Sequence, residues 1–268
     1  MNTPVRILEQ IRAVTQLVNA GAQKPALRIT TNVPDAPLPV TASKFGGVPY
    51  LPVGVDVPLG SDGQPLGMIA QINCAELPEN TIYPESGMLQ FWLNPRHPQW
   101  GMNINDGLPG ADARVIYWKE LGAANPHACA VEANWEEHYW PIDPPTREIS
   151  LIFGPPETPD PMLTWGDHER FIEIWNELYP DQAIEEIEEL EDLVEEAEED
   201  EDILSAIADE AGYHQLGGYP VFFDDDPRRN NPELEEYTVN LLTMGSESYR
   251  LGSTELLWGE IGRASCRE

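Results

Sequence analysis

Basic residues are scarce in this sequence. Its 268 residues include 15 Lys and Arg against 47 Asp and Glu, which gives a formal net charge of −32. So negative a surface repels phosphate backbones and anionic lipids, and we therefore expect no nucleic acid and no membrane among the partners. A basic protein would be attracted to this surface, while solubility alone is the competing explanation of the charge.

Cysteines are few, and long apolar runs are missing. Cys74, Cys129 and Cys266 are an odd number without paired spacing, which argues against a disulfide scaffold and favours a reducing cytoplasm. No run approaches the ~18 apolar residues that a membrane span needs. The N-terminal segment carries apolar residues at helical spacing with charges between them, so it predicts an amphipathic helix rather than a secretion signal.

Signatures of catalysis and of metal binding are missing as well. The five histidines show neither His-x-His nor His-Glu-x-x-His spacing, so we expect no metal site. The sequence contains no Gly-x-Ser-x-Gly elbow, no phosphate-binding loop and no dinucleotide fingerprint, so we expect no cofactor. Cys74 follows a predicted strand without a neighbouring base, which favours a core or surface position over a nucleophile. The balance favours a protein that is not an enzyme, although the sequence leaves the question open.

Proline, glycine and tryptophan, by contrast, are plentiful. With 26 Pro, 21 Gly and eight Trp, and with apolar runs that are short and β-branched or aromatic, the chain predicts a β-rich α+β fold with many loops. Most of the tryptophans are expected in the core. The predicted strands cover residues 68–73, 87–93, 113–118, 148–153, 217–223, 237–244 and 253–259.

Two helices are predicted between these strands. The first has Asp167 as its N-cap and ends before Pro180, with Phe171, Trp175 and Leu178 on one apolar face.

The second helix lies in an extremely acidic segment. From Asp181 to Glu210 there are 16 acidic residues and no Lys or Arg. Like charges at helical spacing repel each other, so this helix either docks its apolar stripe on the rest of the protein or frays around Glu198–Asp202. The stripe consists of Ile184, Ile187, Leu190, Leu193 or Val194, and Ala197.

A short pattern occurs twice: a large apolar residue, two glycines, any residue, then proline. It lies within residues 44–52 and again within 215–223, and a predicted strand follows each copy after about twenty residues. We therefore expect two pseudo-repeated antiparallel β units. Gly-Gly-x-Pro is typical of a tight turn, because glycine accepts positive φ and proline keeps the following chain extended. The residues of this motif are Gly46, Gly47, Pro49, Gly217, Gly218 and Pro220.

Five segments in order resemble the YwqG-like family, a bacterial family of unknown function. They are KFGGVPYLPVG, PLGMIAQIN, SGMLQFWLNP, HQLGGYPVFFDDDPR and LLWGE, and the resemblance covers roughly residues 42 to 259. It implies a β-rich α+β cytoplasmic domain with duplicated halves, and it supplies no catalytic residues. The chain departs from the family in its very acidic helix and at its C-terminus.

The last nine residues have a separate explanation. A common sequencing adapter, read after one G, translates as Glu-Ile-Gly-Arg-Ala-Ser-Cys-Arg-Glu, which matches Glu260–Glu268 residue for residue. We therefore expect residues 260–268 to be an assembly artefact that replaces native sequence, so that the second β unit lacks a strand and has an unpaired edge. Resequencing the locus tests this: a native stop codon after the same peptide would contradict it.

These patterns predict one globular unit over residues 31–259. The expected divisions are an N-terminal amphipathic helix in 1–30, a first β-rich half in 31–165, an acidic helical insertion in 166–212 and a second, incomplete β half in 213–259.

The stretch FFDDDPRRN has the most chemical character. Asp224, Asp225 and Asp226 beside Arg228 would suit a cation or a charged ligand, and adjacent carboxylates can also support acid–base chemistry. A turn after a strand end explains the same residues and is the favoured interpretation. With Trp258, these four residues are the candidate binding residues.

The predicted function is a cytoplasmic, non-enzymatic interaction module for a protein partner, and the charge favours a basic one. The alternative is a hydrolase or small-ligand-binding enzyme that uses the Asp224–Asp226 and Arg228 cluster in a cleft between the two halves. The sequence leaves the oligomeric state open.

Overall fold

The computed structural model of the protein describes residues 7–18, 24–97, 112–130, 147–158, 168–196, 214–218, 232–234 and 236–244. The helices in these ranges are α1 (Ile7–Val18), α2 (His168–Leu178) and α3 (Glu189–Glu196), with 3₁₀ turns at Cys74–Glu76, Pro180–Gln182 and Pro232–Leu234. The strands are β1 (Ala26–Asn32), β2 (Lys44–Phe45), β3 (Gly67–Asn73), β4 (Met88–Leu93), β5 (Ala113–Trp118), β6 (Ile149–Glu157) and β7 (His214–Gly217).

All seven strands belong to one antiparallel sheet, in the order β5-β4-β3-β2-β6-β1-β7. This confirms the prediction of a β-rich α+β protein. The run ARVIYW forms β5 over the predicted residues, and β3 and β4 begin within one residue of theirs. Short β-branched and aromatic runs between turn residues are strong local signals, which explains the agreement.

The sheet curls so that strands distant in its order meet across its apolar face. β6 and β1 separate β2 from β7, yet the ring of Phe45 in β2 packs edge-on against His214 in β7, with ring centroids 4.9 Å apart. The Tyr83 hydroxyl donates a hydrogen bond to the Leu241 carbonyl oxygen, 158 residues further along the chain. The main core fills the concave side of this curl. It includes Leu27, Ile29, Phe45, Ile69, Ile72, Leu89, Phe91, Ile149, Leu151, Leu216 and Leu242.

β1 is a strand that the sequence analysis did not predict. It overlaps the predicted N-terminal segment 1–30, yet it pairs with β6 on one side and with β7 on the other. Leu27 and Ile29 are buried in the main core at 1% and 2% exposure. A polar run such as TTN gives only a weak strand pattern by itself, and pairing on both sides decides its conformation.

Residues 237–244 differ from the strand that was predicted there. They meet β7 at one isolated antiparallel bridge, Gln215 with Thr243, and form no regular strand. Asn240 donates side-chain hydrogen bonds to the Gly217 carbonyl oxygen at 2.9 Å and to the Thr243 hydroxyl at 2.8 Å. The first of these bonds occupies the Gly217 carbonyl oxygen, a backbone acceptor that a longer ladder with β7 would use. The predicted strand 253–259 lies outside the described residues.

The three helices share a second, separate core. α1 packs on α2 and α3, and the core includes Ile7, Leu8, Ile11, Val14, Phe171, Ile174, Trp175, Ile184, Ile187, Leu190 and Val194. The prediction for α2 was wrong at Leu178, which is 48% exposed, whereas Ile174 is buried at 8% exposure. Ile184, Ile187, Leu190 and Val194 of the acidic segment lie in this helical core. The apolar stripe therefore docks on the rest of the protein over residues 184–194.

Candidate functional site

The residues predicted to bind a ligand lie outside the described part of the structure. These are Asp224, Asp225, Asp226, Arg228 and Trp258, together with Pro220 of the second Gly-Gly motif. The cluster between the halves therefore stays a prediction. The other motif residues, Gly46, Gly47, Pro49, Gly217 and Gly218, are described.

Both Gly-Gly pairs form left-handed turns at the end of a strand. In the first pair φ is 65° and 70°, at Gly46 and Gly47, and in the second it is 73° and 69°, at Gly217 and Gly218. Consecutive positive φ angles are costly for residues with a Cβ, which explains two adjacent glycines. The amide of Gly46 donates to the Ile69 carbonyl oxygen at 3.0 Å, so the turn continues the pairing of β2 with β3.

The first turn also allows a close approach by Glu148. A Cβ on Gly47 would lie 2.3 Å from the Glu148 Cγ. Glu148 accepts a hydrogen bond from the Leu38 amide at 2.8 Å, and its other oxygen lies 2.5 Å from the Nζ of Lys44. The Lys44 side chain has no exposed surface, whereas that of Glu148 is 16% exposed. Glu148 thus joins the loop after β1, the strand β2 and the turn.

A row of buried amides continues from Lys44 across the face of the sheet opposite the main core. Lys44 is opposite Gln71 on β3, and Gln71 is opposite Gln90 on β4. Gln71 accepts from the Tyr50 amide at 2.9 Å, while Gln90 donates to the Tyr50 carbonyl oxygen at 2.6 Å. The Trp118 indole N–H donates to Gln90 at 2.7 Å. Saturated bonding of this kind holds the loop after the Gly-Gly turn on the sheet.

Two aspartates hold the later part of the β2–β3 loop, around residues 61–64, at the ends of β4 and β5. Asp112 accepts hydrogen bonds from the Ser61 amide at 2.9 Å, the Ser61 hydroxyl at 2.6 Å and the Asn94 side chain at 2.8 Å. Burial raises the pKa of Asp112, but these bonds outweigh it and the net direction is downward. Hydrogen bonds from Arg96 and from the Gln64 amide lower the pKa of Asp62 to about 2. Both carboxylates therefore act as ionised anchors.

The buried thiol and phenol are unsuited to nucleophilic or acid–base chemistry. Burial raises the pKa of Cys74 to about 11, so its thiol stays protonated at neutral pH. Burial also raises the pKa of Tyr83, whose hydroxyl is bonded to a backbone carbonyl. Of the core and surface positions that the sequence allowed for Cys74, the structure shows the core.

The helical part presents a dense array of carboxylates. Residues 168–196 form what we call the acidic lobe, with 12 acidic residues against one arginine, Arg170. Arg170 pairs with Glu173 at 2.9 Å. Five acidic residues beside the apolar stripe of residues 184–194 are exposed, namely Glu185, Glu186, Glu188, Glu191 and Asp192.

Local hydrogen bonds order the entry to α3. The Asn176 side-chain amide donates a hydrogen bond to the Ile184 carbonyl oxygen and accepts one from the Ile184 amide, at 2.8 Å each. It thus satisfies both backbone polar groups of Ile184. Glu189 accepts from the amides of Glu185 and Glu186 at 2.8 and 2.9 Å. These contacts fix the backbone that carries the exposed carboxylates.

The described ranges contain neither a candidate metal site nor a candidate membrane span. No three His, Cys, Asp or Glu side chains there are grouped so that they could hold a metal ion. None of the helices in those ranges combines the length and apolar character needed to cross a bilayer.

Sequence reasoning missed the buried network around Lys44, Glu148, Gln71 and Gln90. No motif marks Glu148, which is 104 residues from Lys44 in the chain. A lysine within the otherwise apolar start of the Gly-Gly motif was the available signal, because a lysine is almost never fully buried unless it is paired.

Fold and site together define a β-rich α+β protein with a curled antiparallel sheet, internally bonded polar anchors and an acidic helical lobe. The chain belongs to the family described as a domain of unknown function, DUF1963, whose family model matches residues 43–266. No curated protein matches the chain. The YwqG-like resemblance and the C-terminal truncation remain predictions.

Proposed function

We propose that the protein is a non-enzymatic interaction module whose acidic lobe binds a basic protein partner. The observation that supports this is the docked stripe of the acidic segment: Ile187 and Leu190 are buried at 7% and 0% exposure, while Glu188 between them and the neighbouring Glu186 and Glu191 are exposed. An acidic segment that served solubility alone would need no such attachment.

Attachment matters because it turns a repulsive segment into an ordered surface. A fixed array of like charges creates a field that accelerates encounter with an oppositely charged partner and rejects similarly charged ones. A single arginine offsets the 12 acidic residues of the lobe, so most of this field is available to a partner. Binding should therefore weaken steeply as salt is added.

A non-catalytic role is consistent with the polar groups that the structure describes. The buried amides, the Lys44–Glu148 pair and the Asp62 and Asp112 carboxylates are engaged by other parts of the chain. Such groups hold loops in place. We place the protein in the cytoplasm, and the free thiols of Cys74 and Cys129 agree with a reducing compartment.

We also infer that the sheet consists of two pseudo-repeated units. Lys44 of β2 is opposite Gln71, and Gln215 of β7 is opposite Thr243, at nearly the same separation along the chain. Each of these strands ends in a left-handed Gly-Gly turn. β2 lies beside β6, β7 lies beside β1, and β6 and β1 are neighbours. This order supports a pseudo-twofold axis between β6 and β1. The acidic helical insertion predicted at residues 166–212 would then lie between the units.

The test compares two variants of equal charge. One replaces Glu185, Glu186, Glu188, Glu191 and Asp192 by the matching amides. The control replaces five exposed acids elsewhere, Asp35, Asp56, Glu79, Glu85 and Glu120, in the same way. Proteins captured from the native host by each variant and by the wild type are identified by mass spectrometry, and the candidate partner is then purified and titrated at several salt concentrations.

The proposal expects one basic protein to bind the wild type and the control but not the lobe variant. Equal loss in both variants would mean that net charge alone is responsible, and retention by the lobe variant would place the interface elsewhere. Either outcome overturns the proposed role of the acidic lobe.

A further inference from the structure

We draw no further inference here: the strongest candidate, the exposed face of β1 and β6 around Thr30, Ser150 and Ile152, is an open sheet face, and nothing in the part of the chain that the structure describes shows what covers it.

Discussion

At the scale of single residues, Gly47 and Gly63 separate two reasons for a glycine. Both have nearly the same backbone angle, φ +70° and +71°. A Cβ on Gly47 would meet Glu148, whereas nothing lies within 4 Å of a Cβ on Gly63. The first position therefore requires glycine for conformation and for space, and the second for conformation alone.

Gly47→Ala should destabilise the protein more than Gly63→Ala. Both substitutions incur the cost of left-handed backbone, about 1 kcal/mol. Gly47→Ala also forces the Glu148 side chain away, which adds about 1–3 kcal/mol typical of overpacking. Urea unfolding of the two variants measures the difference. Equal losses would contradict the role assigned to the close approach.

Lys44→Met should destabilise the fold by about 3 kcal/mol, because it leaves the largely buried Glu148 carboxylate without its cation. The double variant Lys44→Met/Glu148→Leu removes the charge as well, so it should lose less than the sum of the two single variants. A double-mutant cycle from denaturant unfolding measures this coupling. Strict additivity would show that the 2.5 Å contact does not stabilise the protein.

At the scale of elements, the acidic segment shows how packing overrides charge. Its like-charged residues disfavour an isolated helix, and the apolar stripe supplies the compensating free energy only when it is buried. The helix also begins later than the pattern suggested: residues 185–188 form bends and a turn, and α3 begins at Glu189.

Leu190→Ala should cost about 3 kcal/mol, since this side chain has 0% exposure within the helical core. Leu178→Ala, at 48% exposure on α2, is the matched control and should cost less than about 1 kcal/mol. Denaturant unfolding followed by tryptophan fluorescence, which includes buried Trp175, measures both. Similar small losses would mean that the stripe contributes little.

The loop fastened by Asp62 should loosen in acid. The pKa of Asp62 in the folded protein, about 2, is below the ordinary 3.8. The stabilisation from Arg96 is therefore complete above about pH 5 and is lost as the pH falls from there towards the folded pKa. The stability gap between the wild type and Asp62→Asn should therefore narrow from pH 5 to pH 2.

Unfolding by urea across this pH range measures the gap. Asp56→Asn, at an exposed aspartate of the same loop, controls for the loss of one carboxylate. A gap for Asp62→Asn that stayed constant down to pH 2 would rule out the Arg96 contact as its source.

At the scale of the whole molecule, β1 joins β6 to β7 in the sheet although it precedes the family match. The match begins at residue 43, whereas β1 lies between β6 and β7 and buries Ala26 and Leu27 at 0% and 1% exposure. Without β1 these neighbours would lose their shared partner, and part of the core would be exposed.

A chain that starts at residue 43 should therefore fail to unfold cooperatively. A chain that starts at residue 24 keeps β1 and lacks α1, so it should retain the transition of the sheet while the helical core is weakened. Near-ultraviolet circular dichroism and urea unfolding distinguish the two. A cooperative transition of normal size in the shorter chain would show that β1 is dispensable.

Features that depend on neighbours within a few residues follow directly from the sequence. The run at 113–118 specified a strand, the paired glycines specified left-handed turns, and the spacing of Ile184, Ile187 and Leu190 specified a buried stripe. The place of β1, the pairing of Lys44 with Glu148 and the burial of Gln71 and Gln90 depend instead on the folded arrangement of the strands. Those features depend on which distant strands become neighbours and in which register, because a side chain between two strands takes its conformation and its bonds from both.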